Sequence, residues 1–466
     1  MSEAYDYDLV CLGSGPAGQR AAVQAAKLGK RTAVIDKAKC VGGVCIETGT
    51  IPSKTLREAV LFFSGLGGRF DRRRVVRNEI RLTAEQLLAR VDEVVHSESE
   101  VVEDQLRRND VALVRGEASF LGPHMLVVQT AEGWRKVSAD KIVIAVGSRP
   151  APPPGVPADG ETIITSDEVA KLKHLPRTLA VVGGGVIGIE YASIFAAIGI
   201  QVTLVEKRDR PLEFVDREIV DELLHQMRNR NVTFRLGEAV LSLEISEGPP
   251  RRVVVLLESG KRIVSDLVLF SVGRFAATER LNLEAAGLTA DDRGRLKVDE
   301  RFQTAVPNIF AAGDVIGYPS LAATSSEQGR LAACHAFSLE AGPMSGHFPI
   351  GIYAIPEISM VGATEQELTD QKVPYEIGMA RYREIARGQI LGDDSGLLKM
   401  LFHRSDRRLL GVHTIGTGAT ELVHIGQAVF GLGGGLDYFL DTVFNYPTLA
   451  ECYKVAALDA SNKLRR

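Results

Sequence analysis

The chain has 466 residues, 45% hydrophobic and 24% charged, with 55 basic against 59 acidic side chains. That length predicts about three domains, and a net charge of −4 gives no reason to expect nucleic acid or an anionic membrane as partner. The opening MSEAYDYDLV lacks a secretory pattern, no stretch approaches about 20 continuous apolar residues, and the five cysteines are too scattered for a disulfide scaffold, so a cytoplasmic protein is expected.

The first elements are a short apolar strand, DYDLVCL (6–12), a glycine turn, GSGPAG (13–18), a helix, QRAAVQAAKLG, and a second strand, RTAVIDK, closed by Asp36. Gly13, Gly15 and Gly18 form GxGxxG, which lets the backbone turn tightly, approach a pyrophosphate and pack helix on strand. The helix N-terminus then offers free N–H groups to phosphate. Asp36, 23 residues past Gly13, stands about where an acid meets an adenosine ribose hydroxyl. Next comes CVGGVCIETGTIPSK (40–54), whose Cys40 and Cys45 raise the question of a redox disulfide. A polar helix over about 83–107 and strands within VALVRGEASFLGPHMLVVQT follow. The Pro-rich SRPAPPPGVP (148–157) reads as a linker.

The strand–turn–helix–strand pattern recurs from Thr178 to Lys207, with Gly183, Gly185 and Gly188 in the turn and Glu206 closing the next strand. A carboxylate there favours the free 2′-hydroxyl of NAD(H), whereas a 2′-phosphate prefers arginine. Lys207 and Arg208 follow directly. They are either a solvated loop or the part of a dual-specificity site that serves NADP(H). Beyond lie a β hairpin within VVVLLESGKRIVSDLVLFSVGR, a strand entering a Gly-Asp turn in PNIFAAGDV, and, from about 347, a strand-rich α+β region with two helical stretches. Two dinucleotide units in one chain suggest FAD in the first and a visiting nicotinamide nucleotide in the second.

With GSGPAG, GG-x-C with IPSK (42–54), AVGSRP (145–150), GGGVIGIE (183–190), SVGR (271–274), AAGD (311–314) and YPTLAE (446–451) in this order, nearly the whole chain resembles the flavoprotein disulfide reductases. The resemblance implies an α/β fold of two Rossmann-like domains plus a C-terminal α+β dimerisation domain. The division would be 1–150 for FAD (first part), 151–275 for NAD(P), 276–346 for FAD (second part) and 347–466 for the homodimer interface, with higher assembly left open. It places Gly313 and Asp314 at the ribityl and phosphate region, Gly147 and Gly273 among the cofactor-binding glycines, and Lys54 with Glu190 as a catalytic ion pair beside flavin N5. Without it, Lys54 and Glu190 read as two unrelated surface charges. No metal ligands are assigned.

Two departures stand out. Aligned on Gly42-Gly43 and IPSK, the family's first redox cysteine falls on Cys45 and its second on Thr50, while Cys40 lies out of register and is expected to be a small buried residue. The family's proton-shuttling histidine falls on Tyr446, ahead of Pro447-Thr448 and Glu451, and a phenol titrating near 10 is a poor shuttle at neutral pH. His424, on a helix, is taken as structural. Thiol–disulfide exchange needs a second sulfur and a base. What remains is flavin chemistry, and VCIETGTIPSK with FNYPTLAE resembles the soluble pyridine nucleotide transhydrogenase branch. That resemblance implies ping-pong hydride transfer between NADPH and NAD⁺ at one nicotinamide site, with Cys45 and Thr50 lining the flavin pocket. Two alternatives stay open: an NAD(P)H-dependent reductase, dihydrolipoyl dehydrogenase-like or working through Cys45 alone, and a flavin-binding regulatory protein without turnover.

Overall fold

The structure, a computed structural model, describes residues 5–38, 40–65, 82–153, 158–246, 248 and 250–465. Strand β1 (Tyr7–Leu12) is buried from Leu9 to Leu12, helix α1 (Pro16–Lys27) follows the glycine turn, and strand β2 (Thr32–Asp36) returns parallel to β1. Parallel strands covered on both faces read as continuous apolar runs, which is why DLVCL and TAVI do not alternate. Ala112–Arg115 extends this sheet beyond β2, and Gly133–Ile144 joins it on the other side of β1, carrying the meander strands Met125–Thr130 and Glu117–Gly122. The seventh strand, Ile309–Ala311, pairs in parallel with Gly133–Ile144, so PNIFAAGDV delivers Gly313 and Asp314 to the edge where GSGPAG stands. The helix Ala322–Ala336 then crosses α1 so closely that a Cβ on Gly329 would lie 2.0 Å from the Ala17 carbonyl oxygen.

The second unit is a five-stranded parallel sheet ordered Thr233–Leu236, Gln201–Glu206, Thr178–Val182, Leu267–Phe270, Ile163–Ile164. The expected hairpin is there, Arg252–Leu257 against Arg262–Ser265, within a three-stranded antiparallel sheet. The stretch read as a linker differs in part. Ser148–Pro150 is a strand paired with Arg274–Ala276, because each backbone satisfies the other where the chain crosses between units; residues 154–157 lie outside the described residues. The polar helix runs Ala84–Arg108, opened by a capping box in which Gln86 N–H donates to Thr83 Oγ1 and Thr83 N–H to Gln86 Oε1.

The C-terminal region is a five-stranded antiparallel sheet ordered Ile350–Ile352, Ile358–Gly362, Leu409–Ile415, Leu397–His403, Tyr375–Arg381. Ala419–Gly431 and Glu451–Leu464 are its long helices, joined by the short Leu436–Asp441. One apolar core runs from the second unit's sheet through Leu56 and Leu87 into Ile352, Ile358 and Leu397 of this sheet. A buried ionic junction lies beside it. Lys399 Nζ, fully buried, donates to Asp216 Oδ1 at 2.9 Å, to Glu218 at 3.2 Å and to Glu365. Asp216 in turn caps the helix Arg217–Arg228 and accepts from Glu365 N–H. Burial pushes the Asp216 carboxyl up, but His413 and Lys399 outweigh it and hold it below its ordinary 3.8. Its contribution to stability is therefore complete above 3.8 and is lost as the pH falls through the lowered folded value.

Lys399→Met would leave Asp216 buried without its counter-ion. We expect a loss of about 3–5 kcal/mol, read as a lower denaturant midpoint.

Candidate active site

The first glycine turn is shaped by contacts that leave no room for side chains at two of its three positions. Gly13 has φ +104°, and a Cβ there would lie 2.4 Å from the Ala145 carbonyl oxygen; a Cβ on Gly18 would lie 1.9 Å from that of Gly13. Gly15 differs: a Cβ would meet nothing within 4 Å, so its surface is open for a ligand. Asp36 stands beside the turn, with Oδ2 accepting from Ser14 N–H at 2.6 Å and Ser14 Oγ at 2.5 Å, and Oδ1 from Ala38 N–H at 2.8 Å. Ser14 Oγ also accepts from Gly42 N–H at 2.9 Å, and a Cβ on Gly43 would lie 2.9 Å from Gly15 Cα. The Gly-Gly pair thus packs on the cradle. Gly313, φ +84°, donates its N–H to Gln328 Oε1, and Asp314 Oδ2 accepts from Ser148 Oγ at 2.6 Å. Arg274 anchors that serine through its hydroxyl and its carbonyl, at 2.8 and 2.7 Å. Gly147 and Gly273 both have positive φ and open space at the Cβ position. The residues fit a dinucleotide: an open glycine cradle at a helix N-terminus, and a buried Thr48 Oγ1 with no hydrogen-bond partner among the described residues.

Beyond the cradle, Cys45 lies in the short helix Gly43–Glu47, and Thr50 begins the helix Thr50–Phe63. The Thr50 hydroxyl lies near enough to the Cys45 thiol to influence its charge. Burial pushes the Cys45 thiol up, against the opposing Thr50 hydrogen bond and Lys54 charge. Cys40 is a free cysteine but half-buried, a correction to the expected buried residue: it sits at the turn after β2, outside the packed sheet. One turn past Thr50, Lys54 Nζ donates to both oxygens of Glu190, at 3.1 and 2.9 Å. The reading of these two as unrelated surface charges does not hold, since the Glu190 side chain is only 4% exposed. Glu190 Oε1 also accepts from Tyr353 N–H at 2.8 Å. At the other end of the chain Tyr446 is exposed, Glu451 Oε2 is buried without a partner among the described residues, and His424 is exposed and bonded to Gln427.

The second turn repeats the first. A Cβ on Gly183 would lie 2.5 Å from the Ser271 carbonyl oxygen, one on Gly188 would lie 1.9 Å from that of Gly183, and Gly185 faces open space. It borders a cleft of about 730 Å³ lined also by Glu206, Lys207, Arg208, Glu238 and Gly273, a size suited to a small-molecule cofactor. Glu206 is not free. Arg208 Nε and Nη2 grip its two oxygens at 2.9 and 3.0 Å, and Gly184 N–H donates to it at 2.5 Å. Burial pushes the Glu206 carboxyl up, but Arg208 and the backbone donors outweigh it and hold it below its ordinary value. Lys207 is exposed.

Ser14, Ser148, Arg274 and Tyr353 were missed in the sequence. Ser14, between two motif glycines, carried a local signal, and Ser148 and Arg274 stood inside the quoted AVGSRP and SVGR stretches without a role assigned to them; Tyr353 carried none.

The chain matches the pyridine nucleotide-disulphide oxidoreductase family over residues 7–329 and that family's dimerisation domain over 348–457. It is 52% identical to a soluble pyridine nucleotide transhydrogenase of Mycobacterium tuberculosis, over 99% of this chain and 98% of the relative. It is 43% identical to one of Colwellia psychrerythraea over the whole of both chains. Among solved structures, LpdA of Mycobacterium tuberculosis superposes with a TM-score of 0.87 at 26% identity, covering 97% of this chain and 98% of that one. The HOCl-induced flavoprotein disulfide reductase RclA of Escherichia coli superposes at 0.86 and 28%, covering 97% and 99%.

The glycine contacts separate ligand from fold. Gly15→Ala should keep the thermal midpoint of the FAD-free protein and weaken FAD binding at least tenfold in a fluorescence titration, whereas Gly18→Ala should lower that midpoint itself.

Proposed function

The chain belongs to the pyridine nucleotide-disulphide oxidoreductase family, and within it we propose a soluble, FAD-dependent transhydrogenase that passes hydride between NADPH and NAD⁺. One observation carries this reading: the two positions of the family's redox cysteines hold Cys45, a free thiol, and Thr50, which has no sulfur, while the Lys54–Glu190 pair is intact. The full-length likeness to transhydrogenases of two organisms supports it.

When bound, FAD supplies the electron chemistry, taking a hydride from one nicotinamide and giving it to another. The chain's residues do the rest. Gly13, Gly15 and Gly18 cradle the flavin pyrophosphate, with Asp36 aligned by Ser14 toward the ribose, and Gly313 with Asp314 closes the far side. Gly147 and Gly273 give backbone access between the two units. Lys54 presents a fixed positive charge that favours electron density building on the flavin edge, and Glu190 keeps it in place. Cys45, held as a thiol by burial, lines the pocket beside Thr50 without a redox partner. Tyr446, in the shuttle position, leaves disulfide substrates without their base.

Gly183, Gly185 and Gly188 bind the visiting nucleotide, NAD(H) and NADP(H) in turn. Arg208 gives a route to dual use. Gripping Glu206, it leaves the acid's remaining acceptor capacity for a 2′-hydroxyl; turned outward with Lys207, it meets a 2′-phosphate bidentately. The protein works as a homodimer through its C-terminal domain, and further association of dimers would build on that unit. Among the described residues no helix is long and apolar enough to cross a membrane, and five free cysteines suit a reducing cytoplasm.

The test is hydride transfer from NADPH to thio-NAD⁺ by the purified protein, with lipoamide and glutathione disulfide as parallel acceptors. Transfer to thio-NAD⁺ with both disulfides untouched is expected; disulfide turnover without transhydrogenation overturns the reading. For the nucleotide choice, Arg208→Ala should raise the KM for NADPH at least tenfold, the value of a lost charge-assisted contact, and change that for NADH less than threefold. Equal effects would remove Arg208 as the discriminator.

A further inference from the structure

The C-terminal domain touches the Lys54–Glu190 pair and the two helices that carry it through three consecutive residues. Tyr353 N–H donates to Glu190 Oε1 at 2.8 Å, the Ala354 carbonyl accepts from Arg57 Nε at 3.1 Å, and Ile355 N–H donates to Ser193 Oγ at 3.0 Å. Ser193 itself donates to the Glu190 carbonyl, and Arg230 Nη1 donates to the Ile355 carbonyl at 2.6 Å. Arg57 shares the helix Thr50–Phe63 with Lys54, and Ser193 shares Val186–Ala197 with Glu190. The strap therefore fixes both helices by its backbone alone. Its one aromatic side chain does something else: the Tyr353 ring lies 5.0 Å from Lys54 Nζ.

We infer that Tyr353 is a positioning residue for the Lys54 ammonium, its ring offering the charge an aromatic face in addition to the Glu190 carboxylate. The inference rests on the reading of Lys54 as the cation at the flavin edge. Lys54 is a long side chain, and beyond Glu190 its ammonium donates to Ser53 Oγ at 3.3 Å. Its flexible four-carbon stem lets the ammonium take several positions unless neighbours fix it. An aromatic face within about 6 Å attracts the cation and excludes water from the same side. The ring thus holds the charge without adding a second anion to that of Glu190, which would weaken further the field that the flavin is to feel. The hydroxyl has no part in this, so phenylalanine should serve as well as tyrosine.

The experiment compares the FAD-loaded wild type with Tyr353→Phe, Tyr353→Leu, Tyr353→Met and Lys54→Met, measuring the flavin midpoint potential and the rate of flavin reduction by NADPH in stopped flow. Tyr353→Phe should match the wild type. Tyr353→Leu, or Tyr353→Met if the first does not load FAD, should slow reduction about fivefold, the scale of a lost cation–π contact, and shift the potential about 20 mV negative, the same factor for a two-electron couple. Lys54→Met should exceed both effects. Non-aromatic variants with wild-type potential and rate, beside an impaired Lys54→Met, overturn the role of the ring and leave that of Lys54 standing. A loss in Tyr353→Phe equal to that in Tyr353→Leu also overturns it. If Lys54→Met behaves as wild type, the parent reading of Lys54 falls, and the inference with it.

Discussion

The contact between Lys54 and Glu190 joins parts of the chain that share no covalent neighbourhood. The lysine comes from the helix Thr50–Phe63, the glutamate from the helix Val186–Ala197 of the second dinucleotide unit, and a further N–H to the glutamate from Tyr353, in the loop after the first strand of the C-terminal sheet. A carboxylate only 4% exposed is costly unless it is paired and hydrogen-bonded, so the three regions hold one relative arrangement or lose the pair. The Lys399 junction imposes the same condition elsewhere on the boundary, between the second unit and the C-terminal sheet. Between them runs a continuous apolar core. Two ionic fixings around one apolar seam make the orientation of the units specific as well as stable.

The two glycine turns solve one problem with one geometry. In each, the third glycine nearly touches the carbonyl of the first, the first abuts a neighbouring strand's carbonyl, and the middle position is open. They differ in what holds the acid at the end of the second strand. Asp36 is held by a neutral hydroxyl and two backbone N–H groups, whereas Glu206 is held by a guanidinium that can itself bind anions. A resident ligand suits the first arrangement, since nothing there needs to move. A visiting ligand that comes in two charge states suits the second.

What the sequence made legible follows from distance along the chain. The glycine spacings, the two acids, the register of Cys45 and Thr50 against IPSK, and the strand before Gly313 were readable because each is fixed within about thirty residues by backbone geometry. The Lys54–Glu190 pair spans 136 positions and was named only through resemblance; as bare residues the two read as surface charges. The motifs holding Ser148 and Asp314 were readable but their contact was not, and the Lys399 junction and the Tyr353 strap had no local signature, because each joins residues that only the tertiary fold brings together. Cys40 was misjudged for a related reason: cysteine is usually a packing residue, yet the turn after β2 leaves this one half in solvent.

On the proposed reading, a threonine at position 50 in place of a second cysteine also sets how much the protein can carry. A flavin backed by a disulfide has two compartments for electron pairs and can rest half-filled. A flavin backed by a thiol and an alcohol has one. Such a carrier is either loaded or empty, so its occupancy follows the ratio of reduced to oxidised nicotinamide around it with no internal reserve.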